Sequence, residues 1–149
     1  MSRAAIAISL LCLAAYAFPQ RVVTVQVRPV IDCRIVNAGN PTRLKGSGKP
    51  VCLGRDVWAN ENDVESARVE KDLEGKPMVM LTLRNQAAAR LRDLTSKHIG
   101  DRIGILVGRD LVVTPQIHAP AAEVPIQGVY SPAQAQDLAD ALNRQARKR

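Results

Sequence analysis

Few residues in this chain have types and spacings that could do chemistry: Cys33 and Cys52, the two histidines His98 and His118, and the carboxylates Asp56, Glu61, Asp63 and Glu65. A zinc site built from the cysteines and histidines would need ligands that arrive in close pairs, so that short loops fix the tetrahedron. No C-x-x-C or H-x-x-x-H spacing occurs. A hydrolytic triad needs a Ser or Cys beside a histidine and a carboxylate, and neither histidine lies in such a motif; no G-x-S-x-G is present. Gly46-Ser47-Gly48-Lys49 lacks the upstream glycine of a phosphate loop, and no helical pattern follows it. The carboxylates fall in a polar loop and at a strand start, where solvated charge accounts for them. His98 stands at the end of a helical pattern, where a histidine commonly caps or packs. These residues imply a chain that binds rather than catalyses, with no metal and no cofactor.

The N-terminus bears on the cysteines. Residues 1–17 run from a basic start (Arg3) through an apolar stretch, Ala4 to Ala14, to Ala15-Tyr16-Ala17. That is the three-part plan of a cleaved secretory signal peptide. The apolar stretch is about 11 residues, against roughly 20 for a bilayer span; an uncleaved anchor is the alternative. Leu10-Leu11 before Cys12 are too bulky for a lipid-attachment site. Cleavage removes Arg3 and Cys12, lowers the net charge from +7 to +6, and leaves Cys33 and Cys52 as an even pair in an oxidising compartment. A disulfide between them, with two free thiols as the alternative, would staple a segment poor in apolar residues, contributing about 3 kcal/mol. The expected location is periplasmic or secreted. The charge does not mark a nucleic-acid binder: after cleavage only Phe18, Trp58 and Tyr130 are aromatic, too few for base stacking. The basic tail Arg144–Arg149 suits an anionic membrane surface or an acidic protein instead.

The elements that would position these groups can be read from periodicity. Val23, Val25 and Val27 alternate with Thr24, Gln26 and Arg28, predicting a half-buried strand over 22–28. Residues 37–54 read as a Gly/Pro-rich loop, and 56–63 as a short helical turn. Strands are predicted over 64–72 and 78–84, turning at Glu74-Gly75-Lys76-Pro77, with 78–84 apolar on both faces and hence central. Asn85 is placed as the N-cap of a helix with Ala87, Leu91, Leu94 and His98 at helical spacing, stopping at Gly100. Strands over 102–107 and 111–117 meet at Gly108-Arg109, and another runs over 124–130. Ser131, Pro132 and Gln134 form the start of a last helix, a capping box ahead of the stripe Ala135, Leu138, Ala139, Leu142. The fold class is α+β: a mostly antiparallel sheet with two helices packed on one face.

From about Leu53 onward the chain resembles one family, the head subdomain of the large periplasmic domain of SecD, an accessory subunit of the bacterial protein-export machinery. The resemblance lies in Asp63–Val69, Gly75–Leu83, Leu94-Thr95 and Ile99–Ile105, the last being similar to the family's N-V-G-K-R-L-A-I. Thr114–Ile117 is similar to A-P-V-I, Gln127–Ser131 to T-G-N-F-T, and Ala135–Leu142 to A-x-x-L-A-x-x-L. Departures are concentrated in loops: Gly108-Arg109 replaces an Asp-Gly hairpin, and Ala121-Ala122 a Gly-Gly. The organisation expected is a signal peptide (1–17), an N-terminal strand and loop extension (18–52), and a SecD-head-like domain with a basic tail (53–149).

The resemblance implies a protein-binding module whose partner is a protein or an unfolded exported chain, accessory to export or envelope maintenance. A periplasmic inhibitor or immunity-type regulator reusing the fold is the alternative. The contact residues expected are Thr24, Gln26 and Arg28, on a strand edge free to add a partner strand, and His118, Ala121 and Glu123 in the loop of altered sequence.

Overall fold

The computed structural model describes residues 22–35, 41–128 and 130–149. The expected signal peptide, 1–17, and part of the expected loop, 37–40, lie outside the described residues.

The valine alternation near the N-terminus does form a strand, β1 (Val25–Ile31), three residues later than its periodicity predicts. It is followed by β2 (Thr42–Arg43), β3 (Pro50–Leu53), β4 (Ala59–Asn60) and a 3-10 turn (Glu61–Asp63). Then come β5 (Val64–Lys71), β6 (Pro77–Leu83), α1 (Asn85–Lys97), β7 (Ile103–Val107), β8 (Asp110–Val113), β9 (Glu123–Ile126) and α2 (Pro132–Arg147). The strands form two sheets rather than one. The smaller has the order β5-β6-β9, antiparallel throughout, so β6 is central. The larger runs β2-β3-β1-β7-β8, with β4 also pairing with β1. A parallel bridge between Leu44 and Leu111, with the Lys45 N–H donating to the Leu111 carbonyl at 2.8 Å, brings its two outer strands together. Where the sheet curls round, Leu53 and Leu111 close over Gly104. A Cβ there would lie 2.5 Å from Leu53 Cδ2 and 3.0 Å from Leu111 Cδ1, so any larger residue would have to push the two leucine side chains aside.

One cluster of buried apolar side chains joins both sheets and both helices. Val25, Val27, Ile103 and Ile105 come from the larger sheet, and Val79, Leu81, Leu83, Val124 and Ile126 from the smaller. α1 adds Ala87 and Leu91; α2 adds Ala135, Leu138, Ala139 and Leu142. The α+β class with two helices is therefore what the chain folds into, with an aliphatic core. At the start of α2 the Ser131 hydroxyl accepts the Gln134 N–H at 3.2 Å, and Gln134 Oε1 accepts the Ser131 N–H at 2.9 Å.

Several local expectations give way to contacts from distant residues. The segment 37–54 is not all loop: β2 and β3 lie in it, and β3 pairs with β1 through Val30–Leu53 and Ile31–Cys52. The Cys33–Cys52 disulfide, across residues 19 apart in sequence, fixes that pairing. β1, β2 and β3 are thus all paired into the larger sheet, β1 lying directly beside β7. Asn85 does not cap α1; it is the first helical residue, and Arg84 precedes it without a side-chain cap. The entry is fixed instead by the Asp63 carbonyl, which accepts the Arg84 N–H at 2.8 Å. The helix ends at Lys97, short of Gly100. Its buried stripe is Ala87, Leu91 and Thr95, with Leu94 and His98 only half-buried. The strands expected to run to Ile117 and Tyr130 end at Val113 and Ile126.

Candidate partner-binding site

A partner strand can add only where a sheet edge is open, and β1 is not such an edge. Gln26 and Arg28, expected on a free edge, lie on a strand paired on both sides. Gln26 faces Leu106 and Asn60, and Arg28 faces Gly104. The Thr24 carbonyl accepts the Gly108 N–H at 2.8 Å. Within the smaller sheet, β5 and β9 are the outer strands. The backbone of Ala67 on β5 is covered by a side chain of α2: Asn143 Oδ1 accepts the Ala67 N–H and Asn143 Nδ2 donates to the Ala67 carbonyl, both at 2.8 Å. A carboxamide used in this way stands in for the peptide group of a neighbouring strand. On β9, Pro125 has no N–H to offer and so blunts that edge. Strand addition over 22–28 is excluded by this pairing.

The three residues expected in the loop fare differently, Glu123 being the first residue of β9. His118, Ala121 and Glu123 all line a small cavity of about 110 Å³ with Leu91, Ile103, Pro115, Ile117, Val124 and Pro125. Its walls are held from several sides. The Ile117 N–H donates to the Asp101 carbonyl at 2.8 Å, the Ile103 N–H to the Pro115 carbonyl at 3.1 Å, and Gln116 Nε2 to the Gly100 carbonyl at 2.9 Å. Thr95, 0 % exposed, is the central pin. Its hydroxyl donates to the Leu91 carbonyl and accepts the Ala121 N–H, each at 2.8 Å, which ties the loop to α1. The cavity is therefore formed before any partner arrives. An apolar cavity of roughly 150 Å³ holds a benzene molecule, so this one suits a single aliphatic side chain.

The charge on the rim is paired, one guanidinium to two carboxylates. Glu123 Oε1 accepts from Arg68 Nη1 at 3.0 Å and from the Thr82 hydroxyl at 3.1 Å, and Arg68 Nε also donates to Glu70 at 2.6 Å. The Arg68 hydrogen bonds hold the Glu123 carboxyl below its ordinary range; partial desolvation opposes this, and Thr82 assists. An apolar floor beside a carboxylate already held by Arg68 recognises shape and apolar surface more than charge. Nothing in this arrangement activates a nucleophile, and no group of three or more His, Cys, Asp or Glu able to hold a metal occurs among the described residues. His98 is occupied otherwise, packed at a 46° tilt against Trp58 at 5.0 Å between ring centroids, with Nδ1 at 2.9 Å from Asp101 Oδ2.

Thr95 and Asn143 escaped the sequence patterns. Thr95 falls four residues after Leu91 on the buried stripe, and that spacing is the signal that could have found it. Asn143 bonds a residue 76 positions away, and nothing in its neighbourhood marks it.

This geometry has counterparts among known proteins. The protein translocase subunit SecD of Koribacter versatilis (strain Ellin345) is 30% identical over 83 residues, 55% of this chain and 16% of that relative. A solved SecDF, described as a membrane component that enhances protein export, superposes with a TM-score of 0.64 at 22% identity, covering 83% of this chain and 63% of that one. SecDF in a super-membrane-facing form gives a TM-score of 0.65 at 19% identity, covering 83% and 19% of the two chains. No helix among the described residues is long and apolar enough to cross a membrane. Residues 23–146 match the family model of the SecDF P1 head subdomain, and the chain belongs to that family.

Proposed function

We propose that this chain is an exported, non-catalytic protein-binding module that works beside the protein-export machinery and holds an exported polypeptide at the cavity between α1 and residues 115–125. The observation that carries the reading is the family match over residues 23–146, which takes in every described strand and nearly all of α2. The curated relative is a translocase subunit and one solved relative is described as enhancing export; the role proposed here is the share of that work that a head subdomain can do by binding. A preformed apolar cavity suits the scattered aliphatic side chains of an unfolded exported chain, which has no fixed charge pattern. His118, Ala121 and Glu123 are its contact residues. The leader directs export and is removed after Ala17, and the mature protein resides in the periplasm or outside the cell.

The test is a binding measurement with protein recovered from the periplasm, whose mass should place its N-terminus at Phe18. Affinity for a reduced, unfolded exported polypeptide, read by fluorescence anisotropy, should fall at least tenfold in Ala121→Trp, which fills the cavity mouth. Arg55→Ala, on an exposed residue outside the cavity lining, should leave it unchanged. Equal affinity in the wild type and Ala121→Trp would reject the site.

A further inference from the structure

The two ends of the described chain meet. Val23, just ahead of β1, has its N–H accepted by Gln145 Oε1 at 2.6 Å, and its carbonyl accepts from Gln145 Nε2 at 3.0 Å. One carboxamide on the last turns of α2 therefore fixes where the N-terminal segment leaves the domain. The same place is crowded with cations. Arg144 and Arg147 lie on the last turn of α2, with Lys148 and Arg149 after it. Arg84 joins them from the end of β6, its Nη2 donating to the Ala146 carbonyl at 3.3 Å. Arg149 Nη1 reaches the Glu61 carbonyl at 2.8 Å. All five basic side chains are exposed. Nearby carboxylates are engaged: Glu61 Oε2 accepts the Val25 N–H at 3.1 Å, Asp63 Oδ2 pairs with Arg90 at 3.0 Å, and Asp140, one turn before Arg144, accepts from Gln136 Nε2 at 3.0 Å.

We propose that this end of the domain is a membrane-facing surface that binds anionic lipid headgroups. Two observations choose a lipid surface over other anions. The apolar stretch Ala4–Ala14 belongs to a segment ending at Ala17, and only residues 18–22 separate it from the anchored Val23. Six residue steps span at most about 20 Å, so whatever bilayer receives that stretch lies within reach of the cationic end. Four to eight Lys or Arg gathered beside a membrane-inserted segment are what an anionic leaflet attracts. The attraction outlasts removal of the leader, because the cations belong to the folded domain. It places the cavity's cargo and the membrane on one molecule, and it does not depend on the cavity reading.

The experiment uses the chain from Phe18, which keeps every described element and contact, so that the leader's own partitioning plays no part. Co-sedimentation is measured with vesicles of phosphatidylcholine alone and with one-third phosphatidylglycerol. Binding should require phosphatidylglycerol and disappear in 0.5 M salt, where the Debye length falls well below 10 Å. Each cation near such a surface is worth roughly fivefold. The triple variant Arg144→Gln/Arg147→Gln/Arg149→Gln should therefore lose about 100-fold, with its melting midpoint unchanged. The control triple Arg43→Gln/Lys49→Gln/Arg102→Gln removes equal charge: Lys49 and Arg102 line the surface beside Cys33 and Cys52, past the far end of a strand roughly 20 Å long. It should keep most of the binding. Equal losses in the two triples would mean net charge alone acts, and the proposal fails. It fails too if the wild-type chain ignores phosphatidylglycerol, or if a short DNA duplex at the same salt binds the cationic end more tightly than the vesicles do.

Discussion

Leu142→Ala should lower the unfolding free energy by about 2–5 kcal/mol, and Ser131→Ala by only about 1 kcal/mol. Leu142 is 1 % exposed and Leu138 8 % exposed, both in the cluster that joins the two sheets. Truncating either leaves a cavity that surrounding strands already fixed by pairing cannot collapse to fill. The Ser131 hydroxyl satisfies one helix-start N–H, and water can partly replace it because the residue is exposed. Urea melts of the two variants give the order directly. A Leu142→Ala midpoint equal to that of the wild type, with a shifted Ser131→Ala midpoint, would mean that α2 lies outside the core. The packing described here would then be wrong.

Removing the Cys33–Cys52 bond is the second large effect. A loop closed by residues 19 apart gives about 3 kcal/mol in the chain-entropy account. The loss should also be localised. β3 meets β1 through only the Val30–Leu53 and Ile31–Cys52 pairs, and β2 meets β3 through two more. In Cys33→Ala/Cys52→Ala the amides of 42–53 should exchange far faster, while those of β5, β6 and α2 change by the global loss alone. Unchanged protection at Val51 and Leu53 would show that pairing, not the bridge, holds this segment.

These two cases also mark what the sequence could reveal. α2 is written locally: its cap, its proline and its apolar stripe lie within twelve consecutive residues, Ser131 to Leu142. The β5–β6 hairpin is equally local, closed by Asp72 and Gly75, the latter at φ 79°. β3 is legible only through its partner, since Pro50–Leu53 is a short apolar run between glycines and prolines. The start of α1 fails for a related reason: Asn85 has the right chemistry for a cap, but the Asp63 carbonyl sets the entry one residue earlier. The alternation at 22–28 revealed a strand but not its neighbours. β4, β3 and β7 reach it from 59–60, 50–53 and 103–107, and periodicity says nothing about which edge they take. The expectation for His118, Ala121 and Glu123 rests on a stretch whose text departs from the family pattern, although Glu123 itself opens β9. The cavity that unites them is not legible there, because it depends on Thr95 reaching Ala121 across 26 positions.

Site-specific photocrosslinking in cells exporting protein tests the central claim most directly. A photoreactive side chain at position 121, at the cavity, should yield adducts with exported polypeptides, and the yield should fall when export is blocked. The same probe at position 43, on β2 at the closed side of the larger sheet, should yield none. Adducts at 43 as abundant as those at 121, or none at 121 while export is running, would contradict a client-binding cavity between α1 and residues 115–125.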